Sequence, residues 1–284
     1  MKPGASVKWI LKRAVKRAAL LGGRVFPRHG GATRILTYHS IGYRDHEMNV
    51  TPESFRDQMA WLVAHHTPVT LGEAASGRPE GVSRGSALAV TLDDGYRDNL
   101  TNAAPVLQQH GIPATVFVVV GRLGATLRAD ETKEADRLMT WDDISALESM
   151  GVQVGSHTMT HPRLAALSEE EQRREIRDSA RLLEDRLGHP IEAFAYPFGT
   201  VLDYDDVSVR LVKESGFRVA VSNRYGANGP GADRWMLRRT WIDASDSMRM
   251  FRAKVNGELD ALSILDSPFA ARIRRTANKG LRVR

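Results

Sequence analysis

Three short stretches of this sequence hold side chains that could do chemistry together. Asp93 and Asp94 are adjacent carboxylates that end the apolar run 87–92, and Gly95 follows them. Adjacent carboxylates at the end of a buried strand need a partner to offset their desolvation. A divalent cation is the natural one, and it leaves the second carboxylate free as a base. A solvated Asp-Gly turn would use the same residues without any chemistry. His157 and His161 follow the β-like run 152–154. On one helical turn their spacing would bring two imidazoles to one ion. Two unconnected histidines are the plainer alternative. Together, Asp94, His157 and His161 would make a three-ligand site with positions left open for water and a substrate oxygen, a layout suited to hydrolysis. Zinc is the expected metal for this donor set, with cobalt, nickel or manganese as substitutes. The third stretch runs from Phe194 to Gly199 and contains Tyr196, Pro197 and Phe198. It can wall a pocket and offer backbone N–H groups to an oxyanion. Trp235 ends the polar, Gly-rich stretch 226–234 and is a candidate for stacking on a sugar.

The elements that must position these residues follow from periodicity. Short β-rich runs are predicted at 35–38, 69–71, 87–92, 114–120, 152–154, 193–195, 218–221 and 236–237. Helical patterns are predicted at 52–66, 99–110, 141–150, 168–187 and 205–215, and Gly111, Gly151, Gly188 and Gly216 each sit just past one. Strands alternating with helices imply βα units and a mainly parallel sheet, so an α/β fold. The charge-rich stretch 122–140 is too long for a simple turn and is predicted as a surface excursion at a strand's C-terminal end. That is the end where α/β folds place their sites.

Charge divides the chain into three parts. The whole sequence carries a net +6, but residues 1–34 hold nine Lys/Arg and no acid, and residues 267–284 hold six and no acid. The remainder has 25 basic and 34 acidic residues, a net of −9. An acidic body speaks against nucleic acid, which needs one continuous basic surface. Residues 7–21 place apolar and basic side chains on opposite helical faces, the pattern of a helix lying on an anionic membrane through residues 1–30. The same pattern also fits a helix docked on the protein's own body. No cleavable leader is legible and no run of 18 apolar residues exists, so a cytoplasmic or membrane-peripheral location is expected. The sequence has no Cys, which excludes disulfides and thiolate metal sites.

The order and context of the motifs resemble the polysaccharide deacetylase family, the NodB-homology or family 4 carbohydrate esterases. The resemblance runs from about Ile35 to Leu259. Thr91-Leu92-Asp93-Asp94-Gly95 is similar to the family's Thr-Phe-Asp-Asp-Gly motif. His157-Thr158-Met159-Thr160-His161-Pro162 is similar to its His-Ser/Thr-x-x-His-Pro motif. The resemblance implies a distorted (β/α) barrel over 34–266, after a basic helix and linker at 1–33 and before a basic tail at 267–284. It implies Asp93 as catalytic base, Asp94, His157 and His161 as metal ligands, and an N-acetylated, GlcNAc-like saccharide as substrate. Amide hydrolysis on a lipid-linked sugar, deformylation included, is the nearest alternative, and a catalytically quiet sugar-binding module is a further one. Three positions depart from the family pattern. The Arg that orients the base is replaced by Ala195, and Arg238 or Arg239 is the expected substitute, with Arg239 favoured. The motif's Tyr is Phe198. The late Leu-x-His that holds the general acid is missing, and His39, at the end of the first predicted strand, is expected to replace it.

Overall fold

The computed structural model describes residues 32–266 apart from Asp45, residues 78–80 and 83–86, and Ala129. The amphipathic pattern at 7–21 and the basic tail at 267–284 lie outside the described residues. The strands are β1 (Arg34–Tyr38), β2 (Ser40–Ile41), β3 (Asn49–Val50), β4 (Thr67–Pro68) and β5 (Ala87–Leu92). They continue with β6 (Ala114–Val118), β7 (Gln153–Ser156), β8 (Ala193–Ala195), β9 (Val219–Tyr225) and β10 (Leu237–Trp241). The helices are α1 (Pro52–His65), α2 (Leu71–Ala75), α3 (Ala104–Gln109), α4 (Trp141–Ser149), α5 (Glu169–Arg173), α6 (Ser179–Leu187), α7 (Asp206–Glu214) and α8 (Met248–Val255).

Seven parallel strands form a closed barrel in the order β1–β10–β9–β8–β7–β6–β5, and β5 pairs back onto β1 through five residue pairs from Arg34↔Leu88 to Tyr38↔Leu92. Strand β4 adds to β5 outside the ring, and β2 pairs with β3 separately. Alternation along each strand divides the apolar residues into two layers. Ile35, Ala89, Phe117, Ala195, Val221 and Leu237 share the inner layer, while Leu36, Val90, Val116 and Phe194 join the outer layer beneath the helices. Gly155 leaves the room that the Phe117 ring fills, since a Cβ there would lie 2.6 Å from two ring atoms.

Local sequence explains most helix ends. Thr140 with Asp143, Ser168 with Glu171, and Asp205 with Ser208 form reciprocal caps at the starts of α4, α5 and α7. Gly188 closes α6 in the left-handed conformation, φ 78°.

Several predicted elements change. The strand predicted at 69–71 is instead Thr67–Pro68, and Leu71 opens α2, because Thr70 and Glu73 cap that helix reciprocally. The helical patterns predicted at 99–110 and 168–187 each contain one π-helical turn, Asn99–Ala103 and Arg174–Asp178. The stretch 122–140 is a surface excursion after β6. Bridges Thr126↔Arg137 and Tyr96↔Leu138 hold it, as do ion pairs from Arg44 to Asp136 and Glu131.

Candidate active site

Strand β5 delivers the two carboxylates differently. Ala89 and Thr91 face into the barrel and Asp93 continues that register, fully buried, with its N–H donating to the Tyr38 carbonyl. Asp94 and Gly95 then turn in the left-handed region, φ 73° and 77°, so the neighbouring carboxylate leaves the strand direction. Gly95 also permits close passage, since a Cβ would meet Val118 atoms at 3.0–3.3 Å.

The two histidines lie in a loop after β7, which corrects the expected helical turn. Left-handed Thr158 (φ 68°) and His161 (φ 63°) curl the loop, and the Thr158 hydroxyl accepts the His161 N–H at 3.0 Å. The same three-residue spacing therefore brings the imidazoles together without a helix. His157 Nδ1 donates to the Ala195 carbonyl at 2.7 Å, which fixes the tautomer and leaves Nε2 as a lone-pair donor. The Nε2 atoms of His157 and His161 stand 3.6 and 3.4 Å from the same oxygen, Asp94 Oδ1. Burial holds both imidazoles at a pKa of about 4, so they are neutral at neutral pH and these contacts are not ion pairs. For His157 the His161 ring adds to the lowering, whereas Asp93 and Asp94 oppose it. Ligand atoms 2.0–2.2 Å from a tetrahedral ion stand about 3.3–3.6 Å apart. The donor set and its spacing thus fit a divalent cation, and the three residues are the one such group among the described residues.

Beside this cluster, Asp93 is clamped by Arg239. Nη1 and Nη2 donate to the two carboxylate oxygens at 2.7 and 2.6 Å. All five donors of the buried guanidinium are used, the others going to Thr91 Oγ1, the Ser222 carbonyl and Asn223 Oδ1. Burial would raise the Asp93 pKa, but the charge of Arg239, then His157, outweighs it and holds the pKa at about 2. Arg238, one residue earlier, faces the other side and donates to the Tyr225 carbonyl. Of the two arginines considered, strand alternation selects Arg239.

The remaining sequence candidates divide. His39 follows β1 and adds to the electrostatics of both Asp93 and His161; its Nδ1 is buried without a hydrogen-bond partner. Pro197 is buried and Phe198, φ 60°, is partly exposed with its ring centroid 4.7 Å from that of His161 and the Arg163 guanidinium 4.0 Å over its face. Tyr196 and Trp235 are not brought to the cluster. Tyr196 is fully buried in the outer layer, stacked on Tyr204, and its hydroxyl donates to the Trp235 carbonyl. Trp235 precedes β10, its indole N–H donates to the Phe217 carbonyl just before β9, and Lys213 lies over its ring. Both residues therefore pack the outer layer, with Trp235 near the start of the strands and the carboxylates and imidazoles at their ends.

Asn223 is a site residue that sequence reasoning missed. Its Oδ1 accepts from Arg239, its Nδ2 donates to the Phe198 carbonyl at 3.3 Å, and its N–H donates to the Gly199 carbonyl at 2.9 Å. No local motif marks it; only the inward register of β9 would.

Comparison with known proteins places this arrangement. Residues 81–220 match the sequence model of the polysaccharide deacetylase family. YxkH of Bacillus subtilis is 25% identical over 223 residues, covering 78% of this chain and 75% of that one. The poly-beta-1,6-N-acetyl-D-glucosamine N-deacetylase of Staphylococcus epidermidis is 25% identical over 203 residues, covering 68% of each chain. The solved structure of IcaB from Ammonifex degensii shares the fold with a TM-score of 0.69 at 22% identity, covering 81% of this chain and 98% of that one.

Proposed function

The chain belongs to the polysaccharide deacetylase family, hydrolases acting on carbon–nitrogen bonds, and from that premise we propose that it removes N-acetyl groups from a GlcNAc-like saccharide with the help of a divalent metal. The convergence of Asp94 Oδ1 and the two imidazole Nε2 atoms beside an Arg-clamped carboxylate carries this reading.

Asp94, His157 and His161 would hold the metal, zinc by donor type. When bound, it supplies Lewis acidity for the amide carbonyl and a lowered pKa for water. Asp93 is ionised throughout the neutral range and takes the proton of the attacking water, while Arg239 keeps its two oxygens in one orientation. The Phe198 turn walls the site, and its Phe198 N–H would serve the oxyanion, since the Tyr196 and Gly199 N–H groups donate to the Val221 and Pro197 carbonyls. The electrostatic influence of His39 extends to both Asp93 and His161, and in this reading His39 returns a proton to the leaving amine. The balance is one amide and one water giving one protonated amine and one acetate.

The polymer named for the staphylococcal relative, poly-beta-1,6-N-acetyl-D-glucosamine, is the first substrate to test, alongside β-1,4 oligomers and an N-formyl analogue. The expected result is acetate release that needs a divalent metal and is abolished in Asp93→Asn, with metal content retained. Formate release with no acetate would move the reading to a deformylase. Sugar binding without either product would leave only a binding module.

A further inference from the structure

The described residues contain two π-helical turns, and each presents side chains to a backbone segment that carries site residues. The turn Arg174–Asp178 lies between α5 and α6. Within it, Glu175 accepts three hydrogen bonds from the tripeptide between the two imidazoles: from the N–H groups of Met159 (2.9 Å) and Thr160 (2.8 Å) and from the Thr160 hydroxyl (2.7 Å). One helical turn on, the Ser179 hydroxyl meets the Ser156 hydroxyl at 2.7 Å and donates to the Ile176 carbonyl within the turn. Ser156 immediately precedes His157 and Thr160 immediately precedes His161, so one helix grips the loop just before each imidazole. The second turn, Asn99–Ala103, repeats the arrangement on the His39 side. Asn99 Nδ2 donates to the His39 carbonyl and Asn102 Nδ2 to the Ile41 carbonyl, each at 2.7 Å.

A π turn holds one residue more than the α-helical turn it replaces, which re-aims the side chains around it. The loop it grips has a conformational cost to offset, because Thr158 and His161 are both left-handed. On its other side the loop is held by backbone, with Val120 N–H donating to the Thr158 carbonyl and Gly121 N–H to the Met159 carbonyl. Among the described residues, Glu175 is the one charged side chain hydrogen-bonded to the segment between the imidazoles, and its carboxylate satisfies backbone donors that would otherwise turn to water.

We propose that Glu175 is a positioning residue for the metal ligands, and that the π turn exists to aim it at the loop between His157 and His161. This inference rests on the metal reading above. Removing Glu175 frees the loop to leave its left-handed conformation, and His161 then no longer waits in place beside Asp94.

Metal affinity of the full chain, measured by competition with a chromogenic zinc chelator, tests it. Glu175→Ala is expected to weaken zinc binding about 10–100-fold, the range typical of partners that orient metal ligands. Glu175→Gln keeps an acceptor at the same place and is expected to recover most of that affinity. Thr160→Val removes one exposed hydrogen bond without touching the core, and it supplies an intermediate loss even if Glu175→Ala folds poorly. Melting of the metal-free proteins separates a positioning role from a structural one. Loss of affinity at an unchanged metal-free melting temperature supports positioning. A melting temperature lowered equally with and without zinc, or wild-type affinity in Glu175→Ala and Thr160→Val, overturns it. Failure of the wild-type chain to bind any divalent metal would instead sink the metal reading itself.

Discussion

Arg239 spends every N–H it has on the barrel interior, two on Asp93 and three on Thr91, Ser222 and Asn223. Arg239→Ala would leave the Asp93 charge buried and alone, a change that costs about 3–5 kcal/mol. Arg239→Lys restores charge but not the planar fork. Both variants are expected to melt lower and to lose turnover, and an Arg239→Ala enzyme with intact kcat would remove Arg239 from the mechanism. The histidines predict a pH response of definite sign. Their folded pKa values are depressed to about 4 from an unfolded value near 6.5, so the unfolded chain binds more protons between those limits. Stability of the metal-free protein should therefore be fully present above about pH 6.5 and fall as pH drops toward 4. Asp93, depressed to about 2, contributes a second loss that begins near pH 4 and deepens toward pH 2. Melting temperatures between pH 8 and pH 3 check both; a flat profile from 6.5 to 4 would contradict the buried, neutral imidazoles. Trp235 supports the outer layer, so Trp235→Ala is expected to lower the melting temperature while leaving KM for oligosaccharides unchanged.

At the scale of elements, the site is assembled by the ends of strands and the turns that follow them. Asp94, Thr158, His161 and Phe198 are the four non-glycine residues with positive φ among the described residues, and all belong to these turns. Such conformations persist only where the surroundings over-determine them. Gly155→Ala tests the surroundings directly. A methyl group there meets the Phe117 ring at 2.6 Å inside the barrel, and overpacking of this kind costs about 1–3 kcal/mol. The expected outcome is a lower melting temperature together with weaker metal binding, because His157 begins two residues later; a drop in stability alone would show that strand and loop are uncoupled. The contrast between these residues explains what was legible from sequence. Asp93-Asp94-Gly95 could be read because its chemistry and its turn lie in one local run. Arg239 could be narrowed to a pair but not chosen, since register decides which neighbour faces inward. The spacing of His157 and His161 suggested a helix because two left-handed residues reproduce a helical separation. Glu175, Asn99 and Asn223 carry no local pattern at all; each acts through a backbone group distant in sequence. Trp235 drew attention by residue type, yet the return of the chain from β9 to β10 anchors it away from the carboxylates.

For the whole molecule, the charge division separates two properties that should be separable by experiment. The described core, with its acidic balance, holds the candidate site, while the basic excess lies at 1–34 and 267–284. We propose that residues 1–30 bind an anionic membrane surface; the full chain should then co-sediment with anionic vesicles, and removing residues 1–30 should abolish this while leaving metal content and hydrolysis of a soluble oligosaccharide unchanged. Co-sedimentation that survives the deletion would dissociate the membrane from that segment. The closed ring carries a different consequence, one of timing. Asp94 follows β5, and His157 and His161 follow β7, with β6 between the two strands, a compact stretch of chain. Asp93 meets Arg239 across 146 positions, and β1 must settle between β5 and β10 before the ring is shut. Contacts between distant parts of a chain form late, since loop closure must precede them. During refolding in zinc, capture of the ion should therefore run ahead of the return of turnover. The interval between the two is a clock for the sealing of the barrel, readable without any label on the protein.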